Sequence, residues 1–264
     1  MPKVSVIMGI YNINNKKMIE QAIESILNQT FKDFEFIICD DGSTDNTYNM
    51  VKEIIHGDKR CILIRNEHNQ GLAQTLNNCL SIAKGEYIAR MDADDISIKT
   101  RLEEEVSFLD NHPNYSLVSG FSELFNDNKT FGIRKNKEYP QKDDMLFGPP
   151  FIHAAMMMRK EVLCKLNGYR VCKETLRAED YDLWMRLYAL GEKGYNLQKV
   201  IYRIREDKNA YNRRKYKYRL DEAKVRYRGF KNLGLLPKGF VFVIKPLIIG
   251  FIPQRVLAIL RNER

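Results

Sequence analysis

The sequence predicts an α/β fold, with a mostly parallel central sheet flanked by helices and a helical extension rich in basic and apolar residues at its end. Three observations carry that prediction. Short apolar runs alternate with segments of helical periodicity over the first 95 residues, the pattern of βαβ units and a parallel sheet. Acidic clusters, Asp40-Asp41 and Asp92-Ala93-Asp94-Asp95, follow two of those runs, and open α/β sheets bind ligands beyond the carboxyl ends of their strands. Charge then divides the chain. Residues 1–198 hold 25 basic and 29 acidic side chains, whereas residues 199–264 hold 18 and 5, so the basic end calls for an anionic partner.

Taken in order, Val4 to Met8 reads as a strand, and Met18 to Leu27 as a helix with Ile19, Ala22, Ile23 and Ile26 on its inner face. Phe34 to Cys39 is the second strand. The turn Asp40 to Asp45 ends in an N-cap signal, and Met50, Val51 and Ile54 mark the buried face of the helix after it. Cys61 to Ile64 is a third strand, Leu72 to Ala83 a helix closed by Gly85, and Tyr87 to Met91 a fourth strand. From 115 to 159 shorter strands are expected, with turns at Asn126-Asp127-Asn128 and Gly148-Pro149-Pro150. A helix from Ala178 to Leu190 would bury Leu183, Leu187 and Leu190. A charged helix over Tyr211 to Lys231 follows, and then an apolar segment interrupted by Pro237, Pro246 and Pro253.

Composition narrows the class. Hydrophobic residues at 44% and charged residues at 29% suit a folded chain with a core. The five cysteines show no CxxC spacing, which argues against a disulfide framework and for a reducing compartment. The first apolar run is too short for a signal peptide, and the nearest candidate span, Gly239 to Pro253, is broken by Lys245 and Pro246. A cytoplasmic location is expected.

Three clusters carry chemistry. Asp92 and Asp94, one residue apart after a buried strand, can face one hard cation such as Mn²⁺ or Mg²⁺, which takes carboxylate and phosphate oxygens. The same triplet would also cap a helix over 96–109. Asp40-Asp41 can offer a carboxylate to the N3–H of uracil, with the Tyr11 ring against the base, or can serve as turn and cap residues. Glu179-Asp180-Tyr181-Asp182 opens a helix, where a carboxylate is held ionised by the helix dipole and can take a proton from an alcohol. Acids are common in a first helical turn for the dipole alone.

Together the stretches VSVIMGIYN, SILNQTFKDFEFIICDDGSTDNT, NQGLAQTLNNCLSIAKGEYIARMDADD, HAAMMMRKEV and AEDYDLWMRLYALG resemble glycosyltransferase family 2, the inverting enzymes with the GT-A fold. The match runs over about the first 205 residues. The resemblance implies a catalytic domain over 1–205, its nucleotide-binding half at about 1–95 and its acceptor half at about 96–205. It implies Asp94 as principal metal ligand with Asp92 beside it on metal or ribose, Asp41 and Tyr11 on uracil, and Asn69 lining the nucleotide pocket. Asp180 would be the catalytic base and Glu179 would meet the donor sugar or the metal. Three positions depart from the family pattern: Gly9 for Pro, Thr or Ser, Gln70 for Lys, and Arg205 for a frequent His. Arg205 there would contact diphosphate.

The implied reaction moves a hexose or N-acetylhexosamine from a UDP-sugar to a lipid-linked or oligosaccharide acceptor in capsule or exopolysaccharide synthesis. Residues 206–264 would form a basic helical tail on the anionic inner face of the plasma membrane, since Arg213 to Arg219 interleaves cations with aromatics and Phe240 to Leu260 is apolar. A nucleotidyltransferase would need a Gly-rich, basic phosphate loop, which Gly9-Ile10-Tyr11-Asn12 is not. A non-catalytic basic protein binding nucleotide, nucleic acid or membrane leaves the three acidic clusters without a purpose.

Overall fold

The computed structural model describes residues 1–126, 129–206 and 216–251. Asp127 and Asn128 of the expected turn, Arg213 to Lys215 of the basic run, and everything from 252, Pro253 included, lie outside the described residues.

The first half builds the parallel part of the sheet. Strands β1 (Val4–Ile10), β2 (Phe34–Asp40), β3 (Cys61–Arg65) and β4 (Tyr87–Met91) alternate with helices α1 (Lys16–Leu27), α2 (Thr47–Ile54) and α3 (Leu72–Ile82). Their spatial order is β3-β2-β1-β4, every pair parallel. Period-two alternation sends Ile7, Ile37 and Ile88 to one face with Leu76 and Cys79 of α3. Val6, Met8, Ile38 and Ala89 face the other way, against Ile19, Ile23 and Ile26 of α1. Both faces are covered, so the strands are apolar throughout rather than alternating.

The second half extends the same sheet with mixed pairings. It comprises β5 (Ile96–Ser97), α4 (Arg101–Asn111), β6 (Leu117–Phe125), β7 (Thr130–Arg134), β8 (Met157–Arg159), α5 (Lys160–Lys165), α6 (Glu179–Ala189) and β9 (Gly194–Arg205). Short β8 lies antiparallel between β4 and β6 and joins the halves. The long β6–β9 ladder is parallel, β5 closes the edge on β9, and β7 pairs with β6.

Two expectations change. No helix starts at Ile96. The chain stays extended as β5, because Ile98 N–H donates to Ile201 O and Thr30 N–H to Lys99 O, and α4 begins only at Arg101. Leu190 is not core but 52% exposed. It ends α6, and Tyr181 and Trp184 bury beside Leu183 and Leu187 instead.

Beyond 206, α7 (Tyr216–Asn232) and α8 (Phe240–Phe251) pack back onto the domain. Ala223, Val225, Phe230, Leu233, Leu235 and Val243 join the apolar cluster that holds Trp184 and Leu187. Gly229 lies close against Met185 there: a Cβ would fall 2.5 Å from Cε of Met185, whose side chain would have to shift. Arg226 donates to Leu146 O at 3.2 Å and lies 5.1 Å over the Tyr181 ring. The basic helix therefore has a buried inner face.

Candidate active site

The site begins at the carboxyl edge of three neighbouring strands. Ile10 pairs with Asp40 and Met8 with Met91, so Tyr11, Asp41 and Asp92 leave β1, β2 and β4 along one edge. Adjacent strands stand about 4.8 Å apart, which makes this edge one crevice.

On its first side, the Asp41 carboxylate is buried and takes three hydrogen bonds. Oδ1 accepts from Asn66 Nδ2 at 2.8 Å and Gln70 N at 2.8 Å, and Oδ2 accepts from Gly71 N at 2.9 Å. A carboxylate has about four acceptor sites, and the described residues fill three of them, leaving one on Oδ2. Asp40 is held by Ser43 and by Arg65 Nε at 3.0 Å. Gly42 adopts φ +68°, and a Cβ there would sit 2.5 Å from His68 C and 2.9 Å from Asn69 N. Only glycine lets the two loops close this tightly. Tyr11 (46% exposed) and exposed Asn69 border the opening. Neither Asp40 nor Asp41 caps α2, whose first turn is bonded by Asp45 through Thr47 N at 3.0 Å.

On the second side, Asp92, Asp94 and Asp95 bring carboxylate oxygens within 4.8 Å of one another. With β5 in place of a helix, the triplet caps nothing. Asp95 Oδ1 accepts from Arg205 N at 2.8 Å, and Arg205 Nε donates to Asp94 O at 2.9 Å. Arg205 Nη2 also reaches Gln21 Oε1 at 3.1 Å, so this side chain braces the acidic turn from behind. Burial, then the charges of Asp92 and Asp94, push the Asp95 carboxyl well above the usual range. Three carboxylates this close need positive charge, and an all-oxygen donor set fits a hard divalent cation.

Arg90, at the end of β4, supplies part of that charge. Its guanidinium is buried and paired with Asp92, while its Nε is buried without a partner. Burial opposes its charge, but Asp92, Tyr169, Tyr202 and Glu179 outweigh burial and hold the proton firmly.

Glu179 and Asp180 close the crevice from the start of α6. Helical periodicity splits the four-residue acidic stretch by role. Asp182 is buried on Arg186 Nε at 2.6 Å, and the Tyr181 hydroxyl donates to Met145 O inside the core. Glu179 and Asp180 are half-buried, and Asp180 Oδ1 accepts from Tyr181 N at 2.7 Å. Burial and then Asp180 push Glu179 up to about 7; burial likewise raises Asp180. Both acids, together with Asp92, bear electrostatically on Tyr169. The Tyr169 hydroxyl shares a 2.8 Å hydrogen bond with His153 Nε2. Burial, then Arg90, keep the His153 imidazole neutral.

The structure thus gathers Asp92, Glu179 and Asp180 around Arg90 and places Asp94 next to Asp92. It sets Tyr11, Asp41 and Asn69 along the other part of the same edge. Sequence reasoning missed Arg90 and Gly42, and gave Asp95 no role beyond its place in the acidic run. Arg90 left one signal, a charge inside the otherwise apolar run Tyr87-Ile88-Ala89-Arg90-Met91.

Known proteins resemble this chain in sequence and in fold. A sequence profile described as "Glycosyl transferase family 2" matches residues 5–166. Over 257 residues the chain is 43% identical to a Bacillus subtilis (strain 168) protein named putative glycosyltransferase EpsE, covering 97% of this chain and 92% of that one. It is 31% identical over 214 residues to the Escherichia coli UDP-Glc:alpha-D-GlcNAc-diphosphoundecaprenol beta-1,3-glucosyltransferase WfaP, covering 77% of this chain and 71% of that one. The fold matches the crystal structure of S. aureus TarS 1-349 in complex with UDP-GlcNAc at a TM-score of 0.72 and 20% identity, over 92% of this chain and 74% of that one.

Proposed function

The chain belongs to glycosyl transferase family 2 and has the GT-A fold, and from that premise we propose that it is an inverting hexosyltransferase using a UDP-sugar. The acceptor is a lipid-linked saccharide on the cytoplasmic face of the membrane, and the product feeds cell-surface polysaccharide synthesis. The observation that carries the reading is the convergence of Asp92, Glu179 and Asp180 on Arg90 at the carboxyl edge of the sheet. The E. coli relative, named for UDP-Glc and a diphosphoundecaprenol acceptor, supports the donor and acceptor classes.

In this reading the free acceptor site of Asp41 takes uracil N3–H, Tyr11 lies against the base and Asn69 lines the nucleotide pocket. Cytosine has no proton at N3 to donate, and a site built on such a bond rejects the analogue lacking it. Asp92 and Asp94, with Asp95 beside them, would hold Mn²⁺ or Mg²⁺, which when bound supplies positive charge to the leaving diphosphate. Arg90 holds Asp92 in place from within the fold. Glu179 meets the donor sugar. Asp180 takes the proton of the acceptor hydroxyl as that oxygen attacks the anomeric carbon from the face opposite the diphosphate, so an α-linked donor yields a β-linked product.

Transfer and hydrolysis are to be measured with a panel of UDP-sugars, with and without Mn²⁺, on wild type and Asp180→Asn. Turnover of one donor that requires metal and falls about 10²–10⁴-fold in the variant is the expected result. If no UDP-sugar binds under any metal condition, the reading is wrong.

A further inference from the structure

Helix α8 (Phe240–Phe251) is apolar on the inside and on the outside, and no described residue covers its outer side. Its inner arc, Phe242, Val243 and Leu247, packs into the core cluster. At about 100° per residue, Phe240, Ile244, Ile248, Val241 and Lys245 share an opposite arc roughly 140° wide. Phe240, Val241 and Ile248 on that arc are 51%, 71% and 58% exposed. A helix resting on a water-facing surface carries polar residues on its outer arc. This one carries a single lysine at the border.

The apolar surface continues beyond the helix. Phe147, 70% exposed, sets its ring 5.2 Å from that of Phe242, the partly buried residue at the edge of the inner arc, about 60° from Lys245 of the outer one. A Cβ on Gly239 would touch Leu146 Cδ2 at 3.0 Å, so the start of α8 lies directly against the residues before Phe147. Exposed Lys142, Lys238 and Lys245 rim the patch, with Asp143 the acid bound to Lys238 at 2.6 Å. Contiguous exposed apolar side chains ringed by polar residues mark an interaction surface. The basic rim selects an anionic partner, and a basic-rimmed apolar helix whose described residues are too few to span suits the lipid–water interface. Among the described residues no helix is long and apolar enough to cross a membrane.

We propose that the outer arc of α8 and Phe147 form one membrane-docking face that inserts into the headgroup boundary of an anionic bilayer. The docking unit is then not a separable tail. Through Leu146, Arg226 and Tyr181 it is braced to the start of α6, which carries Glu179 and Asp180. Its use, to present the crevice to a lipid-borne acceptor, rests on the function proposed above; the docking does not.

The test is flotation of the full chain with vesicles of phosphatidylcholine alone or mixed with phosphatidylglycerol. Wild type should float with the mixed vesicles and much less with the neutral ones. The double variant Val241→Asp/Ile248→Asp should lose partitioning by about tenfold or more, and Phe147→Ser by a smaller factor. These exposed positions should leave the melting temperature and transfer to a water-soluble acceptor unchanged. Equal partitioning of wild type and the double variant overturns the proposal. So does a dimer in wild type that the double variant dissolves, which would give the face to a second copy. Flotation that appears only after residues 252–264 are removed would give it to that segment and also overturns the proposal. Flotation without turnover of any UDP-sugar would sink the proposed function and leave the docking face standing.

Discussion

Replacing Asp41 with Asn tests the nucleotide half of the site, because the change is isosteric and its cost can be worked from three hydrogen bonds. The carboxylate accepts from Asn66 and Gln70 on Oδ1 and from Gly71 on Oδ2. An amide has one accepting end. With its oxygen toward Asn66 and Gln70, its NH₂ opposes the Gly71 N–H; turned round, it opposes two donors, which is worse. The variant therefore loses one charge-assisted hydrogen bond, about 1.5–3 kcal/mol, and leaves a donor unmatched at about 1–3 kcal/mol. The two costs overlap, so about 2–4 kcal/mol is expected. Asp41 is only 4% exposed, so solvent does little to relieve it. For a chain of this size about 2 °C is lost per kcal/mol, which gives a fall of roughly 4–8 °C in melting temperature. Calorimetric titration should show UDP affinity falling by about tenfold or more and its margin over CDP narrowing. A variant that melts within about 1 °C of wild type and binds UDP equally would refute both roles of this carboxylate.

Two other perturbations follow from the same geometry. Gly42→Ala must either leave φ +68° or drive its Cβ into the backbone of His68 and Asn69. The left-handed conformation alone costs about 1–2 kcal/mol, so the urea midpoint should fall by more than that cost implies, with an unchanged slope. Arg90→Met breaks the ion pair with Asp92 and removes the positive charge that helps keep Glu179 and Asp180 ionised. Breaking a buried pair costs about 3–5 kcal/mol, and the 35% exposure of Asp92 puts this one at or below the low end. The direction with pH is fixed. Glu179, raised to about 7, binds a proton more tightly folded than unfolded, so its contribution to stability falls as pH rises from the ordinary glutamate range through 7. In Arg90→Met the pair should titrate higher, extending that fall upward and moving the acid limb of the pH–rate profile the same way. An acid limb unchanged from wild type would contradict the central place given to Arg90.

Much of the fold was legible because local sequence and tertiary role agree. Strands β1, β2 and β4 are apolar runs between helices, and an acid marks where β2 and β4 leave the sheet. The failures occurred where distant segments override local pattern. Ile96 to Ser97 has a plausible helix start before it, yet pairs with Tyr202 and Arg203 of β9. The basic appearance of α7 hid an inner face, since Arg226 is buried by stacking on Tyr181 and Gly229 by its approach to Met185. Asp41 was legible as a ligand candidate, but its three donors come from a loop some 25 to 30 positions away, and nothing next to Asp41 in the chain points to them.

By itself the sequence determined the family, the parallel half of the sheet and the three acidic clusters, because all of these follow from residue type at short spacing. Only the tertiary structure decided how the clusters act on one another. Periodicity says which way a side chain points from its own element, but a pair such as Arg90 and Glu179, or Phe147 and Phe242, depends on where two remote elements are packed. Electrostatic and apolar contacts act through space over a few ångströms, and separation along the chain carries no record of that distance.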